Sequence, residues 1–350
     1  MNLYNVEIFR PDYTYRSSFQ MTDVSYEYDY LSLSSNKIKL LKIQAERGDY
    51  IRISKGEQRI CGIIEGVTDS VTSTTIEYKN IMSVFDVNVY ADISAVTGSE
   101  NAIEDWLEQI ITQTYISNSD TLQNIKGMEV KTTSKTTGIK RLGLDGNINN
   151  LYDIIKNALI KHDVTVISDI DVQLHKIVVS IGQNENEEKY IEADLPNVLE
   201  REFNVKKSEE SINKLVVINE ESENEQAIYY LMQDGTVSTD TSNDKRIYPV
   251  IFDVKTITVS SDETFEDASY QEALEALMPE EYDNLIELTV EPDDCLVKPE
   301  LIQIGQKVAI QHDGMVYHTI LTGIERKQRV KLIFGAVRTE LTKKLKRRIK

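Results

Sequence analysis

Between residues 1 and 98 of the chain, apolar and polar residues alternate in short runs. These runs are rich in β-branched and aromatic residues, and turn-forming pieces such as SSN, RGD and KGEQ separate them. The runs are NLYNVEIF, DVSYEYDYLSL, KIKLLKI, YIRISK, RICGIIEGV and TTIEYKNI. Short strands at this spacing predict a small antiparallel β-barrel over residues 1–98.

The period of the apolar positions changes to that of a helix in NAIEDWLEQIITQTY. Its apolar residues recur at i, i+3, i+4, i+7 and i+8, the spacing of one helix face, and Ser99 or Asn101 is the predicted N-cap. The run NINNLYDIIKNALIKHD repeats this pattern, and VTVISDIDVQLHKIVVSIG after it indicates a β-hairpin. Residues 99–195 are therefore predicted to form a compact α/β domain.

Strand patterns return in EREFNVKKSEESINKLVVINEE and in AIYYLMQDGTVSTDTSNDKRIYPVIFDVKTITVS. The second of these stretches resembles a hairpin, and Asp234 with Gly235 is suited to its turn. A third helix is predicted in FEDASYQEALEALMP and ends at Pro279, because proline cannot continue a helix. Strands resume in NLIELTVEPDD, KVAIQHDGMVYHTILTGIE and RVKLIFGA, before a basic tail. The predicted fold class is α+β, mainly β.

An internal repeat links the first strand-rich region to the last. The segments GDYIRISKGEQRICGIIEGV and GQKVAIQHDGMVYHTILTGI align without gaps when Gly48 is placed on Gly305, an offset of 257 residues. Gly66 then coincides with Gly323, and all four glycines are predicted to mark tight bends or bulges. Duplication of one small barrel explains the match, and the alternation common to all antiparallel hairpins is the competing explanation. Three chains with two such modules each would present six modules to a sixfold ring.

The C-terminal stretch also resembles the closing barrel of phage baseplate hub and tail-associated proteins. Members of that family show an IGxxVxI turn and strand, a Y.T.ITG strand and a final L.FG..R..LT strand. The corresponding segments of this chain are IGQKVAI, YHTILTG and LIFGAVRTELT. The segments GDYIRISKGEQRICGIIEGV and TTIEYKNIMSVFD are similar to the family's opening barrel. These motifs are loose structural patterns, less specific than a catalytic signature.

The resemblance implies two similar small antiparallel β-barrels with an α/β domain between them and an insertion in the second barrel. In this plan SINKLVVINE pairs with residues 285–340, on the far side of the insertion. The implied domains are the first barrel at 1–98, the α/β domain at 99–195, the second barrel at 196–222 plus 285–342, an inserted hairpin-and-helix subdomain at 223–284, and the basic tail at 343–350.

For function, the resemblance implies a structural hub at the tip of a phage or phage-like tail. As a homotrimeric ring, the hub would adapt a sixfold tail tube to a threefold tip and form a channel that DNA crosses without specific binding. The implied partners are further copies of the chain, the distal tail or tail-tube hexamer, the tape-measure protein and a tip fibre or spike protein. The implied location is the virion tail tip, after synthesis in the host bacterial cytoplasm. Many relatives continue into a fibre or a peptidoglycan hydrolase, and neither role is expected here.

The charge of the chain restricts what it binds. The formal net charge is −19, from 58 acidic and 39 basic side chains. This balance argues against nonspecific binding to nucleic acid or to anionic membranes, and an acidic surface repels passing DNA. No apolar run approaches the ~20 residues that cross a bilayer, so no membrane anchor is expected.

Residues with catalytic or metal-binding chemistry form no recognisable motif. Among the four histidines, His312 and His318 lie on either side of a predicted turn, and a metal site there would need further ligands nearby. Cys61 and Cys295 have no zinc spacing and are expected to be buried structural thiols. The sequence contains no nucleophile elbow, phosphate-binding loop or HExxH motif. We predict a protein that is not an enzyme and has no catalytic residues, cofactor or metal.

A cluster of tyrosines in the first region permits a second function. Its members are Tyr13, Tyr15, Tyr26, Tyr28 and Tyr30. A tyrosine offers a flat apolar ring with a polar tip, so the cluster could form a platform for cell-wall saccharide and make the chain a saccharide-binding baseplate module. Packing inside a barrel, or a contact between subunits, is the commoner use of tyrosines that alternate along one strand.

Overall fold

A computed structural model gives the fold of the chain. It describes residues 3–31, 35–56, 58–96, 100–138, 142, 144, 147–171, 173–184, 187–204, 212–232, 237–259, 264–277 and 284–335. Within these residues the protein is mainly β, with two curled sheets of half-barrel shape, as the sequence predicted.

The first sheet is built entirely from the N-terminal region. Its strands are β1 (Tyr4–Phe9), β2 (Tyr15–Met21), β4 (Ser35–Leu41), β5 (Tyr50–Lys55), β6 (Gln58–Asp69) and β7 (Ser73–Asn80). Their order is β2-β1-β5-β6-β7-β4, and each neighbouring pair is antiparallel. Val6 and Ile8 in β1 and Ile38 and Leu40 in β4 are buried at every second position, as a strand with one face on the core requires.

The middle of the chain combines two helices with short strands. These elements are β8 (Asn88–Tyr90), α1 (Ile103–Tyr115), β9 (Met128–Thr132), β10 (Ile148–Asn150), α2 (Leu151–His162), β11 (Val164–Asp171) and β12 (Lys176–Gln183). β11 and β12 form the predicted hairpin, and β9 adds to β12 in parallel. β8 and β10 pair separately as a two-stranded ribbon.

The two helices begin in different ways. Asn150 caps α2, because its side-chain oxygen accepts a hydrogen bond from the Tyr152 N–H at 3.0 Å. The N-cap prediction for α1 is wrong: the N-cap is Ala102, whose side chain makes no capping bond. The N–H of Ile103 instead donates to the Thr136 carbonyl at 3.0 Å, so a neighbouring segment satisfies this helix end.

The second sheet collects strands from distant parts of the chain. They are β3 (Tyr26–Asp29), β13 (Lys189–Glu192), β14 (Val198–Asn204), β19 (Leu285–Val290), β20 (Lys307–His312), β21 (Met315–Arg326) and β22 (Val330–Gly335). The order is β13-β20-β21-β22-β19-β14, and β3 pairs with the second half of β21. Two segments therefore leave the units in which the sequence placed them: β3 from the first region, and β13 from the 99–195 region.

The inserted region forms a separate sheet with one helix. Its elements are β15 (Lys214–Asn219), β16 (Ser222–Leu231), β17 (Val237–Ser238), β18 (Phe252–Ile257) and α3 (Phe265–Ala276). The strand order is β17-β16-β15-β18, with β18 parallel to β15. Asp234, Gly235, Pro279 and the tail 343–350 lie outside the described residues.

The predicted pairing of SINKLVVINE with residues 285–340 is wrong. This segment is β15, which pairs with β16 and β18 inside the inserted sheet, and β14 is the strand that pairs with β19. The reason is local: β16 follows β15 directly, so their pairing closes a short loop at little entropic cost. Leu215 and Val217 of β15 then pack in the same core as Ala268 and Ala273 of α3.

Two apolar cores follow from this arrangement. One core joins both large sheets to α1 and α2, and it includes Ile8, Leu107, Ile155 and Leu332. The other lies between α3 and the inserted sheet. No helix in the described part of the chain has the length and apolar character needed to cross a membrane.

Candidate functional site: two equivalent hairpins

The first predicted hairpin consists of β5 and β6. Gly48 precedes it with φ of +91°, a left-handed conformation that glycine adopts without strain. The Gly48 N–H donates to the Ile64 carbonyl at 2.9 Å, and the Ile64 N–H donates to the Asp49 carbonyl at 2.8 Å. These two bonds close the open end of the hairpin.

The second hairpin, β20 with β21, repeats this arrangement. Gly305 has φ of +87°, its N–H donates to the Leu321 carbonyl at 2.8 Å, and the Leu321 N–H donates to the Gln306 carbonyl at 2.8 Å. The cross-strand pairs run from Tyr50↔Ile63 to Lys55↔Gln58 in the first hairpin and from Lys307↔Ile320 to His312↔Met315 in the second. Every pair keeps the 257-residue offset found in the sequence.

The strands around each hairpin also correspond. In the first sheet the order β5-β6-β7-β4 is adjacent, and in the second sheet the order β20-β21-β22-β19 is adjacent. Both runs use four consecutive strands of the chain in the same spatial order, and all their pairings are antiparallel. We name these runs the N-terminal unit and the C-terminal unit.

Gly66 and Gly323 mark a second point of correspondence. The register of the long strand shifts between Ile64 and Gly66 in the N-terminal unit, and between Leu321 and Gly323 in the C-terminal unit. Each shift is a bulge at the same place in the fold. Neither glycine has a positive φ, so the conformational role predicted for glycine applies to Gly48 and Gly305 only.

The space around these two glycines differs. A Cβ atom at Gly323 would lie 2.2 Å from an Asp29 carboxylate oxygen, whereas at Gly66 the nearest atom is a Glu77 carboxylate oxygen at 3.4 Å. Asp29 belongs to β3, which pairs with β21 at this point. Gly323 therefore leaves the space that the Asp29 side chain occupies.

The β3 strand joins the first region of the chain to the C-terminal unit. Tyr26, Tyr28 and Asp29 pair with Arg326, Ile324 and Gly323 of β21. After the strand, the Tyr30 hydroxyl accepts a hydrogen bond from the Val166 N–H of β11 at 2.9 Å. The period-two pattern of YEYDY identified the strand, but its partner lies almost 300 residues away and carries no local signal in the sequence.

A cation and aromatic contact lies between the two units. Lys55 of β5 and Arg326 of β21 both approach the ring of Tyr4 in β1, with distances of 5.2 and 4.9 Å to the ring centroid. Burial raises the pKa of Tyr4 to about 12, with the positive charge of Arg326 opposing the shift. The phenol is neutral at physiological pH, and its ring contacts both sheets.

The tyrosine cluster does not form an exposed platform. Tyr13, Tyr26 and Tyr30 are buried, and only Tyr15 is largely exposed, at 57%. Burial raises the pKa of Tyr28 as well as those of Tyr26 and Tyr30. The structure thus uses these rings for packing, as the competing interpretation expected, and it supplies no support for the saccharide-binding alternative.

His312 and His318 do not approach each other across their hairpin. His312 is opposite Met315, whereas His318 is opposite Ala309. Each ring instead contacts a carboxylate beside β13: His312 Nδ1 lies 2.6 Å from Asp194, and His318 Nδ1 lies 2.7 Å from Glu188. The two contacts hold the two ends of β13 against the second hairpin.

Asp194, His312 and Asp313 bring three possible metal ligands within 4.8 Å of one another. The Asp313 N–H donates to Asp194 at 2.8 Å, and this bond, followed by the contact with His312, holds the pKa of the Asp194 carboxyl below its ordinary 3.8. Asp194 is therefore already satisfied by hydrogen bonds, and Asp313 is 80% exposed. We assign this cluster to the anchoring of β13.

A cavity of about 430 Å³ lies where β6, β11 and β21 meet. Its lining combines apolar residues such as Ile302 and Ile324 with Arg59 and Asp169, which form an ion pair at 3.1 Å. The Cys61 thiol donates to Asp169 at 3.1 Å, and burial raises its pKa well above the ordinary value. A thiol in this state is a poor nucleophile.

The expectation of a buried thiol is confirmed for Cys61 and is wrong for Cys295, which is exposed.

No protein-family model matches the sequence, and no curated protein matches it. The solved structures that share its fold along nearly the whole chain include three tail proteins.

The first is the 43 kDa tail protein of prophage MuSo2 from Shewanella oneidensis, with 11% identity, 94% of this chain and 97% of that chain covered, and a TM-score of 0.55. The second is a tail protein from Neisseria meningitidis MC58, with 10% identity, coverage of 95% and 96%, and a TM-score of 0.52. The third is the prophage tail protein gp18 from Listeria monocytogenes EGD-e, with 12% identity, coverage of 98% and 99%, and a TM-score of 0.52. The chain thus has the fold of phage and prophage tail proteins, which confirms the structural resemblance predicted from its hairpin motifs.

Proposed function

We propose that this chain is a structural, non-enzymatic component of the tip of a phage or phage-like tail. It assembles as a homotrimeric ring that adapts the sixfold tail tube to a threefold tip. The shared fold supports a place in the tail, because it extends over almost the full length of three tail proteins.

The observation that supports a homotrimeric ring is the correspondence between the N-terminal unit and the C-terminal unit. One chain presents two four-strand units whose hairpins keep the same register at every pair. Three copies around an axis therefore offer six similar hairpins, and six is the number that a sixfold tube requires. When both units of every chain take part, a ring of three chains is the one that contains six hairpins.

The two units have different neighbouring strands. The N-terminal and C-terminal units are therefore not interchangeable, and a ring built from them has threefold and not sixfold symmetry. Beside β5 lies the antiparallel strand β1, whereas beside β20 lies the parallel strand β13. The C-terminal unit also takes β3 and β14 from elsewhere in the chain. The six positions around the ring would thus have similar hairpins, whereas the strands beside these hairpins would alternate between two types.

The charge of the chain bears on what passes through the ring. We infer that the channel is lined mainly by acidic side chains, since the chain has a net charge of −19. Lys and Arg in the lining would bind DNA phosphates through counterion release and hinder passage. An acidic lining repels the duplex within a Debye length, about 8 Å at physiological salt.

The proposed partners follow from this place in the tail. They are other copies of the chain, the distal tail or tail-tube hexamer, the tape-measure protein and a tip fibre or spike. DNA passes without specific binding, and the site of action is the virion tail tip after synthesis in the bacterial host. No cofactor is required.

A reconstruction of the intact tail tests the proposal. We expect three copies at the tip, with the β5-β6 and β20-β21 hairpins alternating around one ring at similar radius. One copy or six copies per tip would contradict the trimer, and a lumen lined mainly by Lys and Arg would contradict the acidic channel. The native mass of the purified tip assembly checks the copy number independently. A monomer in dilute solution decides neither point, since assembly on the tail can supply the contacts.

A further inference from the structure

The inserted sheet has one covered face and one open face. α3 packs on the covered face, where Leu215, Val217 and Tyr229 contribute to the second core. The residues between them along β15 and β16, and their partners on β18, point to the other side. There Phe252 is 62% exposed and Val254 is 48% exposed, so the open face carries large apolar side chains in contact with solvent.

The open face is organised in rows across the strands. Val216 of β15 is paired with Ile228 of β16 and with Val254 of β18, which gives an aliphatic row. The next row places Lys214 between Tyr230 and Phe252 in the same way. Side chains of one row on one face of a sheet are in contact distance, so the rows form a continuous surface.

Rings and cations alternate along the aromatic row. The Lys214 ammonium lies 5.6 Å from the Phe252 ring centroid and 6.0 Å from that of Tyr230. Beyond Tyr230, the Arg246 guanidinium lies 4.1 Å from that ring and 5.6 Å from the ring of Tyr248. The sequence Phe252, Lys214, Tyr230, Arg246, Tyr248 is therefore a ladder of three rings and two cations, which we call the aromatic ladder.

Both cations of the aromatic ladder are without a carboxylate partner among the described residues. Lys214 has only its ring contacts, and Arg246 donates through Nη1 to the Thr241 carbonyl at 3.0 Å. Lys255 of the neighbouring strand β18, by contrast, forms an ion pair with Glu272. Two cations held over aromatic rings on an exposed apolar face complement a partner with negative charge and apolar groups.

We propose that the open face and the free edge of β18 bind an extended acidic segment of another protein. Among the described residues β18 is the last strand of its sheet. Apart from the Val254 N–H, which donates to the Asp253 carboxylate at 2.8 Å, its outer N–H and C=O groups are available to an added strand. The side chains of such a strand alternate between its two faces. Those on the open face would meet the aliphatic row with apolar groups and the aromatic ladder with carboxylates.

A protein segment fits this surface better than a nucleic acid or an anionic glycan. A polyanion is held by many basic groups, whereas the ladder offers two, and the chain around it has a net charge of −19. The aliphatic row of Val216, Ile228 and Val254 complements apolar side chains and has no counterpart in a sugar or phosphate backbone. This inference goes beyond the tail-tip proposal and does not depend on the ring.

A titration of the full chain with peptides tests the proposal. The protein carries labelled Ile and Val methyl groups, and three blocked eight-residue peptides alternate Val with Glu, with Gln or with Lys. We expect the Glu peptide to shift the methyl signals of Val216, Ile228 and Val254 in a saturable manner. The Gln and Lys peptides should bind about tenfold more weakly or not at all, since they lack the charge that the ladder complements.

Variants of the protein locate the effect. Lys214→Gln with Arg246→Gln should weaken the Glu peptide by about tenfold or more. Arg10→Gln is the matched control: Arg10 also has no carboxylate partner among the described residues, and it also donates through Nη1 to a carbonyl, that of Tyr15, at 3.0 Å. Methyl signals of Val217 and Ile257 in the second core report whether the inserted sheet of each variant is folded, and those of Ile8 do the same for the main core. Phe252→Ser provides a second change that removes a ring and leaves the charges.

Three results would overturn the proposal. The first is the absence of saturable shifts at these methyl groups with the Glu peptide. The second is equal binding of the Glu and Lys peptides, or unchanged binding after loss of both ladder cations. The third is tighter binding of a dT oligonucleotide or of heparin on the same methyl groups, which would make the occupant a polyanion.

Discussion

Gly48 and Gly305 have the same left-handed backbone conformation at the same point of two hairpins. Their φ angles are +91° and +87°, and their N–H groups donate across the hairpin to Ile64 and Leu321 at 2.9 and 2.8 Å. The space around both is open: a Cβ atom at Gly48 would meet nothing within 4 Å, and at Gly305 only Thr165 at 3.8 Å. Substitution at either position therefore tests backbone conformation and not packing.

Gly48→Ala and Gly305→Ala should each lower the free energy of unfolding by about 1 kcal/mol, because a Cβ atom disfavours positive φ. Urea denaturation of the full chain measures the change. The two losses should agree with each other if the hairpins are equivalent. A loss at one position only would contradict equivalent roles for the two glycines.

Gly323→Ala should destabilise the protein more than Gly66→Ala does. The new Cβ atom at position 323 would lie 2.2 Å from the carboxylate of buried Asp29 and 3.2 Å from the Ile333 side chain. These packed side chains must shift, which costs about 1–3 kcal/mol. At position 66 the nearest group is the end of the flexible Glu77 side chain at 3.4 Å, so the change should stay within about 0.5 kcal/mol. Denaturation midpoints of the two variants compare them directly, and equal losses would refute the argument from close approach.

Tyr30→Phe should reduce the free energy of unfolding by about 1–3 kcal/mol. The change removes the hydroxyl that accepts from the Val166 N–H and leaves that buried donor without its partner. Tyr15→Phe is the control, because its hydroxyl contacts the Ser18 hydroxyl on an exposed strand. Hydrogen exchange of the Val166 amide should accelerate in the first variant only. An unchanged exchange rate would show that the bond does not protect this amide.

The stabilisation that Asp194 provides should disappear in acid. Its pKa in the folded chain is held below the ordinary 3.8, so the ionised carboxylate stabilises the fold at pH values above that ordinary value. This contribution is lost as pH falls through the folded pKa. The difference in urea midpoint between the natural chain and Asp194→Asn should be constant near neutral pH and shrink in acid. A direct NMR titration of the Asp194 carboxyl carbon is the control, and a midpoint above 3.8 would contradict the assignment.

The local elements and the internal repeat follow from the amino-acid sequence alone. Period-two burial in β1, β4 and β5 and helical spacing in α1 and α2 are visible in the printed residues, because burial of one face imposes its period on the sequence. The 257-residue offset between the two hairpins is visible for the same reason. It includes glycines at Gly48 and Gly305, where only backbone conformation constrains the residue.

The choice of which segments pair depends instead on the three-dimensional packing of the whole chain. β3 follows the pattern of its own region and yet pairs with β21, and SINKLVVINE pairs inside the inserted sheet. The alternation of a strand specifies which face is buried but not the strand beside it, since backbone hydrogen bonds are the same for every partner. The contacts of His312 and His318 with Asp194 and Glu188, and the aromatic ladder, join residues that are distant in the chain. Their proximity results from the packing of whole elements, which no local pattern in the sequence records.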